Sequence, residues 1–380
     1  MNKKFFCGVS AFAMGLTSLC FVKVCNKNVD YLKNTMYFSQ VSKEIDLDTK
    51  ILMKNNNQNS DYNFIRLKPN KDKKIYIFVD DFVSKKTKDS IKQTINDMNN
   101  IFENISDEYN FVLCDNNKKI DKNLTTINFS YTNLPKNVHG LNNLKFDENK
   151  NKSNYCYITN STIFLDYEIF DKLSTISQLF ILKHEFLHSL GFDDIYYGYD
   201  DETSIMNVGN LGLTYNLSAN DIKMLYLAYG NKHINEDNSF NKEKIDEFNT
   251  FVENYQKKYY QILFESFKSK LNFDFEKISL DEINNQEFEN NGAKILVTNN
   301  TFVYNNKSYS KTGKLVVGDN FIVLPDIKIK NKNNSQFEYN DYLILLKHNN
   351  KIKCYNLEFY HKHSEKEIDE AALELDIKMK

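Results

Sequence analysis

His184-Glu185-Phe186-Leu187-His188-Ser189-Leu190-Gly191-Phe192-Asp193-Asp194 is the stretch from which the rest of the chain is best read. On a helix, residues four apart stand one above the other, so the His184 and His188 imidazoles leave from the same face. Two imidazoles so placed can chelate one Zn²⁺ at about 2.0–2.1 Å each. Glu185 sits about 100° around the helix from His184. That is too far round to ligate, yet within reach of water beside the ion. Gly191 can close the helix in a left-handed conformation and turn the chain back. The return carries Asp194 toward the ion as a third ligand and leaves a fourth position open. An open position separates a catalytic zinc site from a structural one.

A bare HExxH also arises by accident on solvated helix faces. Here Gly191 and Asp194 extend the pattern, and three further segments follow in order. Ser204-Ile205-Met206-Asn207 comes first. Leu217-Ser218-Ala219-Asn220-Asp221-Ile222 then signals a helix, with Ser218 as N-cap and Asp221 at the reciprocal capping position. Tyr229-Gly230 ends it.

Together these segments resemble the metzincin clan of zinc endopeptidases, whose extended motif is HExxHxxGxxH or, in some bacterial members, HExxHxxGxxD. The chain carries the aspartate form. The resemblance covers residues 73–230 and implies one catalytic Zn²⁺ on His184, His188 and Asp194, with Glu185 as general base. It implies Met206 in a Met-turn beneath the metal, and 217–230 as the final catalytic-domain helix of a matrixin-like branch. It also implies a tyrosine donor to the oxyanion, for which Tyr196, Tyr197 and Tyr199 are the candidates. A substrate peptide is expected to pair along an edge strand, assigned to the 154–166 region at Tyr155–Ile158. Two features depart from the clan or stay open. Cys25 lacks the Pro-Arg-Cys-Gly context of a cysteine-switch pro-segment. Asp193 offers a second carboxylate beside Asp194, so the choice between them rests on the clan spacing. His139, in Val138-His139-Gly140, is a candidate ligand for an additional structural metal ion in the loop before the edge strand. Plain solvent exposure is the commoner fate of such a residue.

Working outward, Ile75-Tyr76-Ile77-Phe78-Val79 reads as a buried strand. Ile91, Ile95, Met98, Phe102 and Ile105 follow at helical spacing. Phe111–Cys114, Thr125–Tyr131, Tyr155–Ile158 and Thr162–Leu165 read as further strands, and Leu173–Leu190 as a second helix. Strand, helix, strands, helix indicates an α+β fold: a mixed twisted sheet with three helices, of zincin or metzincin type. A long charged helix is expected at 240–272, with a stripe of Phe248, Val252, Tyr255, Tyr259, Ile262 and Leu263. Beyond it, three hairpin signals, at Asn305-Asn306, Gly318-Asp319-Asn320 and His348-Asn349-Asn350, make a small antiparallel β module. The expected organisation is an export segment at 1–25, a linker or short pro-segment at 26–73 and a catalytic domain at 74–231. A helical region at 232–292 and the β module with a charged tail at 293–380 complete it.

Lys3 and Lys4 precede an uncharged stretch from Phe5 to Val22, the pattern of a signal peptide or an N-terminal membrane anchor. An extracellular or cell-surface protein is therefore expected, touching membrane only through that segment. The net charge is -2, from Lys+Arg 49 against Asp+Glu 51, so no global basic field recruits nucleic acid. Of the six cysteines, three lie in or beside the export segment and no CxxC pair exists. Cys114 and Cys156 are candidates for a single bridge, with buried free thiols the alternative. The function so read is an exported zinc metalloendopeptidase acting on protein or peptide substrates. The rival readings are a surface-anchored binding protein with a vestigial protease domain, and a zinc hydrolase whose third ligand is a distant glutamate such as Glu253 or Glu265.

Overall fold

Ser84 opens the first helix, α1 (Lys85–Ile105), by accepting a hydrogen bond from the Thr87 amide. Ile91, Ile95, Met98, Phe102 and Ile105 form its buried stripe, the five positions that the spacing predicts. The helix belongs to a computed structural model that describes residues 45, 65–114, 123–136, 138–147, 156–194, 204–206, 216–230, 241–268, 275–290, 292–307, 309–330, 338–359 and 375–376. Residues 1–25, expected to be an export segment, and Tyr196, Tyr197 and Tyr199 lie outside the described residues. Among the described residues no helix is long and apolar enough to cross a membrane.

The first sheet has six strands: β1 (Ile65–Leu67), β2 (Lys74–Val79), β3 (Asn110–Cys114), β4 (Thr126–Thr132), β5 (Gly140–Phe146) and β6 (Cys156–Asp166). Their order is β1-β6-β4-β2-β3, with β5 paired to β6. All pairings are parallel except β5 with β6. The fold is thus a mixed α+β domain with a parallel core sheet flanked by helices, as the element order indicates. β4 pairs in unbroken register with Asn160–Asp166, and the two apolar runs at 156–158 and 162–165 belong to one strand.

Two expectations need correction. The edge is not Tyr155–Ile158: from Cys156 onward that stretch is β6, an inner strand between β5 and the β1–β4 side. The antiparallel edge is β5, Gly140-Leu141-Asn142-Asn143-Leu144-Lys145-Phe146, whose glycine, asparagines and lysine hide its strand character. The Cys114–Cys156 bridge is excluded by the same topology. β4 and β2 separate β6 from β3, which at ~4.8 Å per strand is about 14 Å, twice the reach of a disulfide. Cys114 is free.

Helix α2 (Thr175–Ser189) is capped by Ser174 and is buried from Gln178 through Ser189. It packs on α1, β5 and β6. Helix α3 (Ala219–Tyr229) carries the capping box anticipated from Ser218 and Asp221. Tyr229, at its end, donates to Leu190 O at 2.6 Å and accepts from Leu67 N at 2.9 Å. One phenol thereby ties α3 to the end of α2 and to β1. Phe102 and Tyr109 meet its ring edge-on, Phe111 stands edge-on to Phe102, and Phe111 meets Phe186 of α2 at 5.0 Å.

The chain divides into two compact units, with the boundary between Asn249 and Thr250 inside α4 (Lys242–Lys268). In the first unit Phe248 stacks on Tyr226, ring centroids 3.7 Å apart. The second unit holds the later part of α4, a single turn α5 (Leu280–Ile283) and two antiparallel sheets. One sheet has the order β10-β9-β8-β7, from β7 (Glu287–Asn290), β8 (Ala293–Thr298), β9 (Thr301–Asn305) and β10 (Ser310–Lys314). The other runs β11 (Val316–Val317), β12 (Ile322–Lys330), β13 (Glu338–His348), β14 (Lys351–Phe359) and β15 (Leu375–Asp376). All three anticipated hairpins are present, as β9–β10, β11–β12 and β13–β14. Phe248 and Val252 of the expected helical stripe are buried, while Tyr255 and Tyr259 are half-buried. Tyr260 and Phe264 take buried positions beside Phe321 and Ile344, and the side chains of Ile262 and Leu263 lie outside the described residues.

Candidate metal centre

Sequence places His184, Glu185 and His188 in the last turns of α2, where the helix ends as the glycine requires. Gly191 adopts φ +88°, and its amide donates to His188 O at 2.9 Å. A Cβ there would run into Ile65 O of β1, so the position needs glycine both for its backbone and for its space. The chain then folds back beneath the helix. Phe192 N donates to Leu187 O at 3.1 Å, and Asp194 arrives beside the two imidazoles.

His184 Nε2, His188 Nε2 and Asp194 Oδ1 form a triangle with sides of 3.2, 3.3 and 3.5 Å. Tetrahedral Zn²⁺ with ligand bonds of about 2.0–2.1 Å holds its donors about 3.3 Å apart. The donor spacing fits such an ion without rearrangement. Among the described residues this is the group of three or more His, Cys, Asp or Glu side chains close enough to hold a metal.

Hydrogen bonding behind the rings decides which nitrogens face the centre. His184 Nδ1 is 2.9 Å from Ile205 O, and His188 Nδ1 is 2.8 Å from Phe192 O. A carbonyl oxygen only accepts, so each Nδ1 carries a proton, and each ring when neutral turns a bare Nε2 lone pair inward. Two imine lone pairs and a carboxylate oxygen then converge in a buried space, and only a cation between them relieves that repulsion. A metal ion does so. A proton does the same: burial disfavours a charged His188, but the adjacent Asp194 outweighs it and pushes its pKa up to about 10. Burial likewise opposes the Asp194 anion, yet the adjacent imidazoles of His184 and His188 hold its carboxyl well below the usual carboxylate range. Asp193 shows the opposite balance, pushed up by burial. Geometry therefore brings Asp194, and not its neighbour, into the cluster.

Glu185 is 1% exposed, and burial raises its carboxyl above the ordinary value, against the pull of His188 and His184. Its Oε2 has no hydrogen-bond partner among the described residues. Met206 is buried directly after Ile205, whose carbonyl orients His184. His139 is buried at 6% exposure rather than exposed, and it belongs to no set of three or more candidate metal ligands among the described residues.

Sequence reasoning missed the supports. Asp221 is more than a helix cap: its carboxylate accepts from Ser204 Oγ, from Ile205 N at 3.0 Å and from Ser218 N at 2.8 Å. A capping residue of α3 therefore fixes the turn whose carbonyl sets the His184 tautomer. Asp221→Ala strands these buried donors and is expected to cost about 3 kcal/mol of stability. It should also weaken zinc binding ~10–100-fold, as loss of an outer support does. Thermal unfolding and a competitive zinc titration check the two effects. On the other side of α2, Asn142 Nδ2 donates to Glu185 O and to Ser189 Oγ, each at 2.7 Å. Ser161 Oγ donates to Asn142 Oδ1 at 2.8 Å. Asn142 lay in a polar run with no sequence signal; Ser189, one turn after Glu185, was the visible hint.

The cluster resembles a zincin-type zinc-binding motif. No protein-family model matches the chain, and a search of curated proteins finds no match either.

Proposed function

We propose that the protein is an exported zinc-dependent metalloendopeptidase with a metzincin-like, matrixin-type catalytic domain. The observation that carries this reading is the convergence of three buried acceptor atoms at tetrahedral zinc spacing, with an unpartnered buried carboxylate oxygen one residue away. His184, His188 and Asp194 are the residues that would hold the ion. Zinc at such a site acidifies water and polarises a carbonyl.

Glu185 supplies the proton chemistry. Its buried carboxylate takes a proton from the attacking water and returns it to the leaving amine. The raised pKa suits a group that must hold a proton between those two events. Ile205 O and Phe192 O keep the two rings in the ligating tautomer throughout. An extended peptide would add to the free side of β5 through backbone hydrogen bonds. Export rests on Lys3, Lys4 and the uncharged stretch from Phe5 to Val22.

Digestion of a peptide library by the full chain, with mass-spectrometric mapping of the cut sites, tests the proposal. Internal cleavage that a chelator abolishes and added zinc restores is the expected result. Cleavage indifferent to chelation, or none by zinc-loaded protein, would contradict it.

A further inference from the structure

We propose that β5 seats the general base, with Gly140 and Asn142 as positioning residues for Glu185. This inference rests on the assignment of Glu185 as that base.

Glycine is costly inside a strand, where it forfeits packing and ordering entropy, and its presence often marks a close approach by another group. Gly140 does not need the left-handed region, which among the described glycines only Gly191 and Gly292 occupy. What it provides is space. A Cβ at residue 140 would lie 2.8 Å from both Cγ and Oε1 of Glu185, and 2.9 Å from Cγ2 of Ile181. These separations are shorter than carbon atoms tolerate, so the Glu185 side chain occupies room that any other residue would take. Oε2 of that carboxylate has no hydrogen-bond partner among the described residues.

Two residues along the same strand, on the same face, Asn142 grips the backbone of Glu185. Asn142 is itself locked: its Oδ1 accepts from Ser161 Oγ of β6, and its Nδ2 also reaches Ser189 Oγ. Ser161 and Ser189 meet at 2.7 Å, which closes the network across β5, β6 and α2. One strand thus fixes the main chain of the base through Asn142 and shapes the site of its carboxylate through Gly140.

Gly140→Ala, made in the full chain and loaded with zinc, tests the idea. A misplacement of about 1 Å at a reacting group costs ~10²-fold in rate. The variant is therefore expected to keep one zinc per chain and a KM close to wild type while kcat falls ~10²-fold. Glu185→Asp, which removes one methylene from the crowded space, should cost less in the Gly140→Ala background than in the wild type. A crystal structure of the metal-free Gly140→Ala protein should show the Glu185 carboxylate displaced by about 1 Å or more. If the single variant does not fold, the double variant with Glu185→Asp should fold and bind zinc. An unchanged kcat, strictly additive costs, an unmoved carboxylate, or loss of folding in both variants would each overturn the proposal. If the wild type binds zinc and cuts no peptide, the hydrolytic reading falls, and the position of the carboxylate in the crystal still decides the role of β5.

Discussion

Glu185→Gln is expected to leave zinc content and overall stability near wild type and to lower kcat by ~10³-fold or more, within the span that general acid–base groups contribute. The amide has the shape of the carboxylate, so it fits the space that Gly140 leaves and disturbs none of the three converging donor atoms. It cannot accept a proton from water at neutral pH, and it cannot return one to an amine. The carboxylate it replaces is wholly enclosed, and burial already raises its affinity for a proton. Zinc analysis together with steady-state kinetics on a cleaved peptide reads both halves of the expectation. Full activity in this variant would remove Glu185 from the mechanism.

Asp194→Ala should be the more damaging change to the metal centre. It removes the one anionic donor of the triangle and leaves two neutral imidazoles 3.2 Å apart. Zinc affinity should fall by more than ~100-fold, beyond what loss of an outer support costs, and hydrolysis should fall with it. Asp193→Ala is the matched control. That residue carries the adjacent carboxylate and accepts from the Asp194 amide at 3.1 Å, but burial pushes its pKa up and it stands outside the cluster. Near-normal zinc affinity is expected there. Equal affinity in the Asp194→Ala variant and the wild type would transfer the third-ligand role to a more distant residue, and competitive titration against a chromophoric chelator measures the difference.

The two variants separate what spacing reveals from what it hides. His184, Glu185, His188 and Gly191 act through helix geometry, and helix geometry is local: four residues make a turn, and glycine tolerates a positive φ. The capping box at Ser218 and Asp221 and the buried stripe of α1 were legible for the same reason. Strand β5 was not. Its sequence alternates poorly, and it is a strand because β6 pairs with it and α2 covers its buried face, where Gly140, Asn142 and Leu144 lie. The burial of His139 and the second task of Asp221 are likewise products of tertiary packing, which local pattern does not encode. In α4 the helical period was evident, but which of several neighbouring tyrosines turned inward was set by the sheet beneath it.

The most direct measurement of the central claim is a crystal of the zinc-loaded protein with diffraction recorded on both sides of the zinc absorption edge. One anomalous peak about 2 Å from each of His184 Nε2, His188 Nε2 and Asp194 Oδ1 is the predicted result. A zinc-loaded crystal with no peak among these atoms, or with the peak on other side chains, would contradict it.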